Sequence, residues 1–269
     1  MQPLYVIGRV LTRAIEWLAN PARFMRFSGL VLPWLWAPAA VVAAIGLYLG
    51  FAASPGDYQQ GETVRIMYIH VPAAWLAMMG YTFIFVSSVG GLIFRHPLAD
   101  VSAKVAAPIG AAFTLQALIT GSIWGKPTWG TYWAWDARLT SFLILFLLYL
   151  GLIALWNAIE DQTKAGRAAA ILAIVGSVNI PIIHYSVEWW NTLHQGASVF
   201  RAGGPTIAAV FLWPLLLMAI AFTLLFLALH LTAMRTEILR RRVAGMRARR
   251  AETAGMSAGS EPMAAGQTT

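Results

Sequence analysis

Cysteine is absent from all 269 residues. The chain therefore has no disulfide framework, no thiolate metal site and no C-x-x-C redox pair, and any cofactor is held without cysteine sulfur. Charge is scarce too: Asp, Glu, Lys and Arg make up 11% of the chain against 59% hydrophobic residues, where a soluble domain carries about a quarter charged. That balance excludes a soluble single domain. Acids are the rarer sign, 11 against 19 cations. The 23 Gly and 13 Pro are too few for a collagen-like or low-complexity chain, and 12 Trp argue against disorder.

What is present in quantity is apolar sequence in long blocks. Six uncharged runs, residues 29–53, 71–94, 105–124, 139–159, 168–187 and 207–231, reach the roughly 20 residues needed to cross about 30 Å of hydrocarbon. They predict an all-α polytopic membrane protein with six transmembrane helices. No small-residue cleavage pattern follows the first run, and Glu16 and Pro21 precede it, so that span is expected to remain in the mature chain. With both termini cytoplasmic, fifteen of the nineteen cations fall inside, leaving Arg65, Lys126, Arg138 and Arg201 outside. The basic excess is thus a topology signal and not a nucleic-acid-binding face.

The same pass divides the chain. Residues 1–28 form an arm in which Leu4, Ile7, Leu11, Ala14, Ile15 and Leu18 recur at helical spacing, predicting an amphipathic helix on the cytoplasmic leaflet. Residues 29–231 form the membrane domain. Residues 232–269 are first Arg-rich, at most a lipid-headgroup contact, and turn small and polar after Thr253, where disorder is expected.

The most unusual stretch lies outside, over residues 124–140, with four Trp and one Tyr between Trp124 and Trp135, interrupted by Gly125, Pro127 and Gly130. Two interpretations fit it: an interfacial aromatic belt, or a flat platform for a ligand. The five His sort by topology. His96 and His230 fall on the inner side as solvated or interfacial residues, and His184 lies in span five facing a polar partner or a cavity. His70 and His194 occur in two outer loops flanking the aromatic one, as opposed imidazole ligands of a planar metal macrocycle would. Zinc would need three or four ligands, and no H-x-x-x-H supplies them. Lys126, Arg138 and Arg65 are candidate partners for haem propionates. Asp136 fits a pair with Arg138 or Lys126 as well as a ligand contact.

Trp129-Gly130-Thr131-Tyr132-Trp133-Ala134-Trp135-Asp136-Ala137-Arg138-Leu139-Thr140 resembles the tryptophan-rich "WWD" signature of the haem-handling proteins of cytochrome c biogenesis. Within that superfamily the chain is similar to the six-span haem exporter protein C family of system I cytochrome c maturation. Tyr68-Ile69-His70-Val71-Pro72 and Trp189-Trp190-Asn191-Thr192-Leu193-His194-Gln195 carry the resemblance further. Tyr132 stands where the signature often has Trp, and the tail lies outside the match. The resemblance implies haem b held non-covalently and transiently at the periplasmic face of the bacterial inner membrane. Its site would be Trp124, Trp129, Tyr132, Trp133, Trp135, Asp136 and Arg138, with His70 and His194 as axial ligands. It implies delivery to a periplasmic haem chaperone, cytochrome c maturation protein E, and association with an ABC-type complex and its small membrane subunit. The protein would be a delivery component that assists covalent loading of that chaperone and not an enzyme itself; without Cys it cannot form thioether bonds to haem and is expected to hold it reversibly. The alternative is a transporter moving haem through its own helix bundle; span five, with Asn179, Pro181 and His184, is its thin support.

Overall fold

The computed structural model describes residues 17–196 and 198–259. The predicted N-terminal helix falls outside them, apart from Trp17 onward. Among the described residues there is no strand. Six helical spans are long and apolar enough to cross a membrane: Pro21–Ala53, Glu62–Phe94, Ala99–Trp129, Ala137–Ala158, Gln162–Trp189 and Ala209–Thr253. Most extend beyond the apolar runs in the sequence, because capping groups carry helices past the hydrocarbon into polar surroundings.

Helix α1 (Pro21–Leu47) starts where the Asn20 side chain accepts the N–H groups of Ala22 and Arg23 and Pro21 opens the first turn. It ends in a π-helical turn, Tyr48–Ala53. A short 3₁₀ segment, Glu62–Ile66, leads into α2 (Met67–Phe94). Helix α3 (Ala99–Trp129) stops at Gly130, which takes a positive φ of 78° as a left-handed cap. Helix α4 (Ala137–Ala158) is capped by Asp136. Span five is broken into α5 (Gln162–Gly176) and α6 (Asn179–Trp189). Pro181 explains the break: it lacks an N–H and crowds the carbonyl four residues earlier. Asn179 Nδ2 donates to Ser141 O at 2.9 Å, fastening the break to α4.

The last helix, α7 (Ala209–Gly259), is 51 residues long. It continues through Gly259, whereas the composition predicts disorder after Thr253. Once a helix is nucleated, each further residue adds a hydrogen bond, which carries it over Ala254 to Gly259 despite two Gly and a Ser.

Both ends of the described chain lie at one end of the bundle. There Phe24, Leu98, Val101, Val105 and Met234 form a buried cluster, and Arg235 donates to Met25 O and Ser28 Oγ. Lys104 Nζ bridges Glu237 and Gln162, each at 2.9 Å. His230 is buried, not solvated: its Nε2 lies 3.3 Å from Ser102 Oγ and its ring stacks on Phe226. Because α7 runs on so far, this histidine sits inside the bundle and not at its rim.

Candidate functional site

At the opposite end, three spans and one loop converge. The first turn of α2 carries His70, the end of α3 carries Trp124 and Trp129, and the start of α4 carries Arg138; His194 comes from the segment after α6. These side chains and Trp133 line one solvent-open cleft around a cavity of about 60 Å³, with Ala74, Ala117, Leu118, Gly121, Leu139 and Phe142 completing its wall. Its lining, mostly apolar with a few polar groups, has the composition of a small-molecule site.

Two predicted elements are corrected by the fold. His70 is a helical residue, not a loop residue, and Trp124 and Trp129 belong to the last turns of α3. The aromatic segment that stands free of helix is therefore only Gly130 to Asp136. Trp124 and Trp129 meet edge to face at 5.1 Å, and Trp124 Nε1 donates to Gln60 Oε1 at 2.8 Å, which ties the segment before α2 to this wall.

The two imidazoles are the centre of the arrangement. His70 and His194 have ring centroids 6.5 Å apart with planes tilted by 34°. Two metal–nitrogen bonds of about 2 Å, plus half a ring at each end, sum to roughly 6 Å, so the separation is the one that a metal atom held by both rings would require. The hydrogen bonds also fix which nitrogen is free. Thr120 Oγ1 donates its only proton to Gln116 O at 2.7 Å, so it accepts from His70 Nδ1–H at 3.0 Å. His194 Nδ1–H donates to Gln195 O at 2.9 Å. Each ring therefore keeps its lone pair on Nε2, the state of a ligating histidine with an oriented outer nitrogen. Burial, and then the Arg138 charge, hold the His194 pKa below its ordinary value, so the ring is neutral near pH 7.

Gly121 makes room for His70: a Cβ there would come within 2.9 Å of His70 Cε1. Trp133 Nε1 is buried without a hydrogen-bond partner, a donor left available to a ligand's acceptor. Arg138 donates one N–H to Ile183 O at 3.3 Å, keeping its guanidinium at the cavity wall.

The remaining predicted residues lie outside the cavity. Tyr132 is exposed, with Lys126 Nζ 5.3 Å from its ring centroid, and Trp135 is 77% exposed, edge-on to Trp133. Asp136 makes no contact ion pair with Arg138 or Lys126 among the described residues, although its charge acts on the Arg138 guanidinium. Its Oδ1 accepts from Leu139 N at 2.7 Å, capping α4, and its Oδ2 accepts from Leu193 N at 3.0 Å. It thereby joins the aromatic segment to the loop that presents His194. Arg65 is likewise committed elsewhere, to Glu62 and to the carbonyls of Gly50 and Phe51. His184 is exposed on α6 with its ring edge-on to Tyr185, and is not among the residues lining the cavity that holds His70 and His194. Asp136→Ala is expected to cost about 1–2 kcal/mol, the sum of a lost cap and one inter-loop bond, read as a lower thermal midpoint in detergent.

Thr120 and Gly121 were not singled out from the sequence. The signal was there: a small, polar Thr120-Gly121-Ser122 cluster ending an apolar run, four residues after Gln116 and just before Trp124.

A sequence model of haem exporter protein C matches residues 14–249. The chain belongs to the haem exporter protein C family. The Bradyrhizobium diazoefficiens heme exporter protein C is 61% identical over 247 residues, covering 90% of this chain and 94% of that protein. The Paracoccus denitrificans protein of the same name is 53% identical, covering 86% and 96%. That of Escherichia coli strain K12 is 47% identical, covering 84% and 91%. As a family member this is a haem-handling, multi-pass membrane protein.

Proposed function

We propose that this protein holds haem at the periplasmic face of the bacterial inner membrane, between His70 and His194, and hands it to a periplasmic haem chaperone during cytochrome c maturation. The observation that carries this is the imidazole pair, 6.5 Å apart, each with Nδ1 engaged by a protein oxygen. Two axial imidazoles leave the iron no open position for dioxygen. Trp124, Trp129, Trp133 and Phe142 supply apolar wall. Arg138 and the unpartnered Trp133 N–H supply positive charge and a donor for a propionate. Tyr132, Trp135, Trp189 and Trp190 are exposed around the mouth and offer a surface for the chaperone. The opposite end carries the cations expected of a cytoplasmic side; an ABC-type complex with its small membrane subunit would later release the loaded chaperone. The covalent chemistry belongs to the cargo's vinyl group and the chaperone; this chain orients and releases.

Titrating haem into the detergent-purified protein tests the proposal. A six-coordinate, low-spin spectrum with quenching of Trp fluorescence is expected, and a pentacoordinate spectrum or no uptake overturns it. Thr120→Val removes the acceptor that orients His70 and is expected to weaken haem retention by about tenfold, the lower end for an outer-shell partner, while leaving the thermal midpoint within a few degrees.

The broken fifth span is the one observation that favours transport through the bundle. Its gap, however, is filled: a Cβ on Gly176 would collide with Tyr81 Oη and the Leu148 methyls. Haem influx into sealed vesicles holding this protein alone would establish transport; its absence with normal haem binding supports an outer-face holder.

A further inference from the structure

Helix α7 leaves the bundle still helical. Its root is clamped: Glu237, 6% exposed, accepts from Lys104, Arg240 and Arg241. From Arg242 to Thr253 every side chain is exposed. At about 1.5 Å per residue this stretch lies roughly 15–35 Å beyond Leu231, the last residue of the apolar run.

The pattern along it is heptad. Leu239 and Met246 occupy d, and Val243 and Arg250 occupy a; Leu239, Val243 and Met246 are 47%, 41% and 55% exposed. Arg240 and Arg247 fill both e positions, and Arg242 and Arg249 fill both g positions. Ala244, Ala248 and Ala251 lie on the far side. An apolar seam with cations on both rails cannot pair with itself, because g–e contacts in a parallel pair and e–e and g–g contacts in an antiparallel one set Arg against Arg. The residues that follow carry one acid, Glu261, so the chain's own end does not complement it. A lipid surface is disfavoured by distance for the outer part: past a headgroup layer of roughly 5–8 Å, the straight helix carries Arg247, Arg249 and Arg250 beyond the further distance of about 8–10 Å over which headgroup charge acts.

We propose that residues 239–253 are a docking strand of a heteromeric coiled coil, whose partner is a cytoplasmic protein helix with apolar a and d positions and Asp or Glu at e and g. Arg250, at an a position, sets register by requiring an acid or polar group opposite. Arg240 already shares Glu237 at 2.8 Å, leaving Arg242, Arg247 and Arg249 as the selective charges. This docking is independent of the haem site at the other end.

The test uses the full chain in its native membrane, with Val243, Met246 or Ala248 replaced by a benzophenone amino acid, and, in neutral-lipid nanodiscs, a peptide probe of about three heptads with Leu at a and d and Glu at e and g. Val243 and Met246 are expected to give a protein adduct whose crosslinked segment is an acid-flanked heptad helix, and Ala248 none. The probe is expected to bind the chain, to lose about tenfold in affinity or more with Arg242→Glu, Arg247→Glu and Arg249→Glu together, and to recover when its own Glu residues become Lys. Adducts with lipid or a second copy of this chain, equal adducts from both faces, no adduct, or equal binding of a scrambled probe overturn the proposal.

Discussion

His70→Ala and His194→Ala are each expected to convert the haem spectrum of the purified protein from six-coordinate low-spin to five-coordinate high-spin, and the double substitution to leave it without bound haem. Losing an outer-shell partner of a metal ligand costs roughly 10–100-fold, so losing the ligand itself is expected to cost more than about 100-fold in retention. The two single variants should be similar, because both rings line the cavity and each keeps one free Nε2. His96→Ala should behave as wild type, since His96 sits at the opposite end, after α2. Imidazole added to either single variant is expected to restore the low-spin spectrum by filling the vacated position, which a merely unfolded variant would not show. An unchanged spectrum in the double variant would sink the axial assignment and with it the handover proposal.

Spans and cation segregation were legible because the bilayer imposes them: about 20 apolar residues per crossing and charge left behind at the ends. His70 and His194 were legible as a pair because topology puts both on one side, although they are 124 positions apart in the chain. Less legible was where helices stop. Trp124 to Trp129 contains Gly125 and Pro127, and reads as loop. In the fold, Pro127 joins the last turn of α3, and Gly130 ends it. The role of Asp136 was hidden for another reason. Its partners are backbone N–H groups of Leu139 and Leu193, which every residue possesses, so no residue type in the sequence marks them. Thr120 is similar: its use rests on Gln116 O, a backbone atom, and on a ring brought over from α2. His230 was misjudged as a rim residue because the sequence shows where hydrophobicity ends and not where packing ends.

Gly110→Ala is the second large effect, and it acts on assembly of the scaffold. A Cβ at Gly110 would lie inside the contact distance of Tyr149 Cζ, Cε1 and Oη at once, and Gly80 faces the same hydroxyl at 2.9 Å. Tyr149 is fully buried, donates from Oη to Ala77 O at 2.8 Å, and meets Tyr81 edge to face at 5.3 Å. Helices in lipid gain little hydrophobic drive to associate, so close approach through small residues is what joins α2, α3 and α4. An aromatic ring held by a hydrogen bond cannot step aside as a flexible chain end would, and the substitution is expected to cost about 3–5 kcal/mol, the upper end for overpacking. Thermal unfolding in detergent should show a drop well beyond that of Tyr149→Phe, which removes only one hydrogen bond worth about 1 kcal/mol. In a Tyr149→Ala background the same Gly110→Ala change should cost less than about 1 kcal/mol, because the colliding ring is gone. A full cost in both backgrounds would mean that the ring is not what Gly110 accommodates. Since α2, α3 and α4 carry His70, Trp124 and Arg138, weakening their junction also loosens the cavity, and haem retention should fall in proportion to the loss of folded protein.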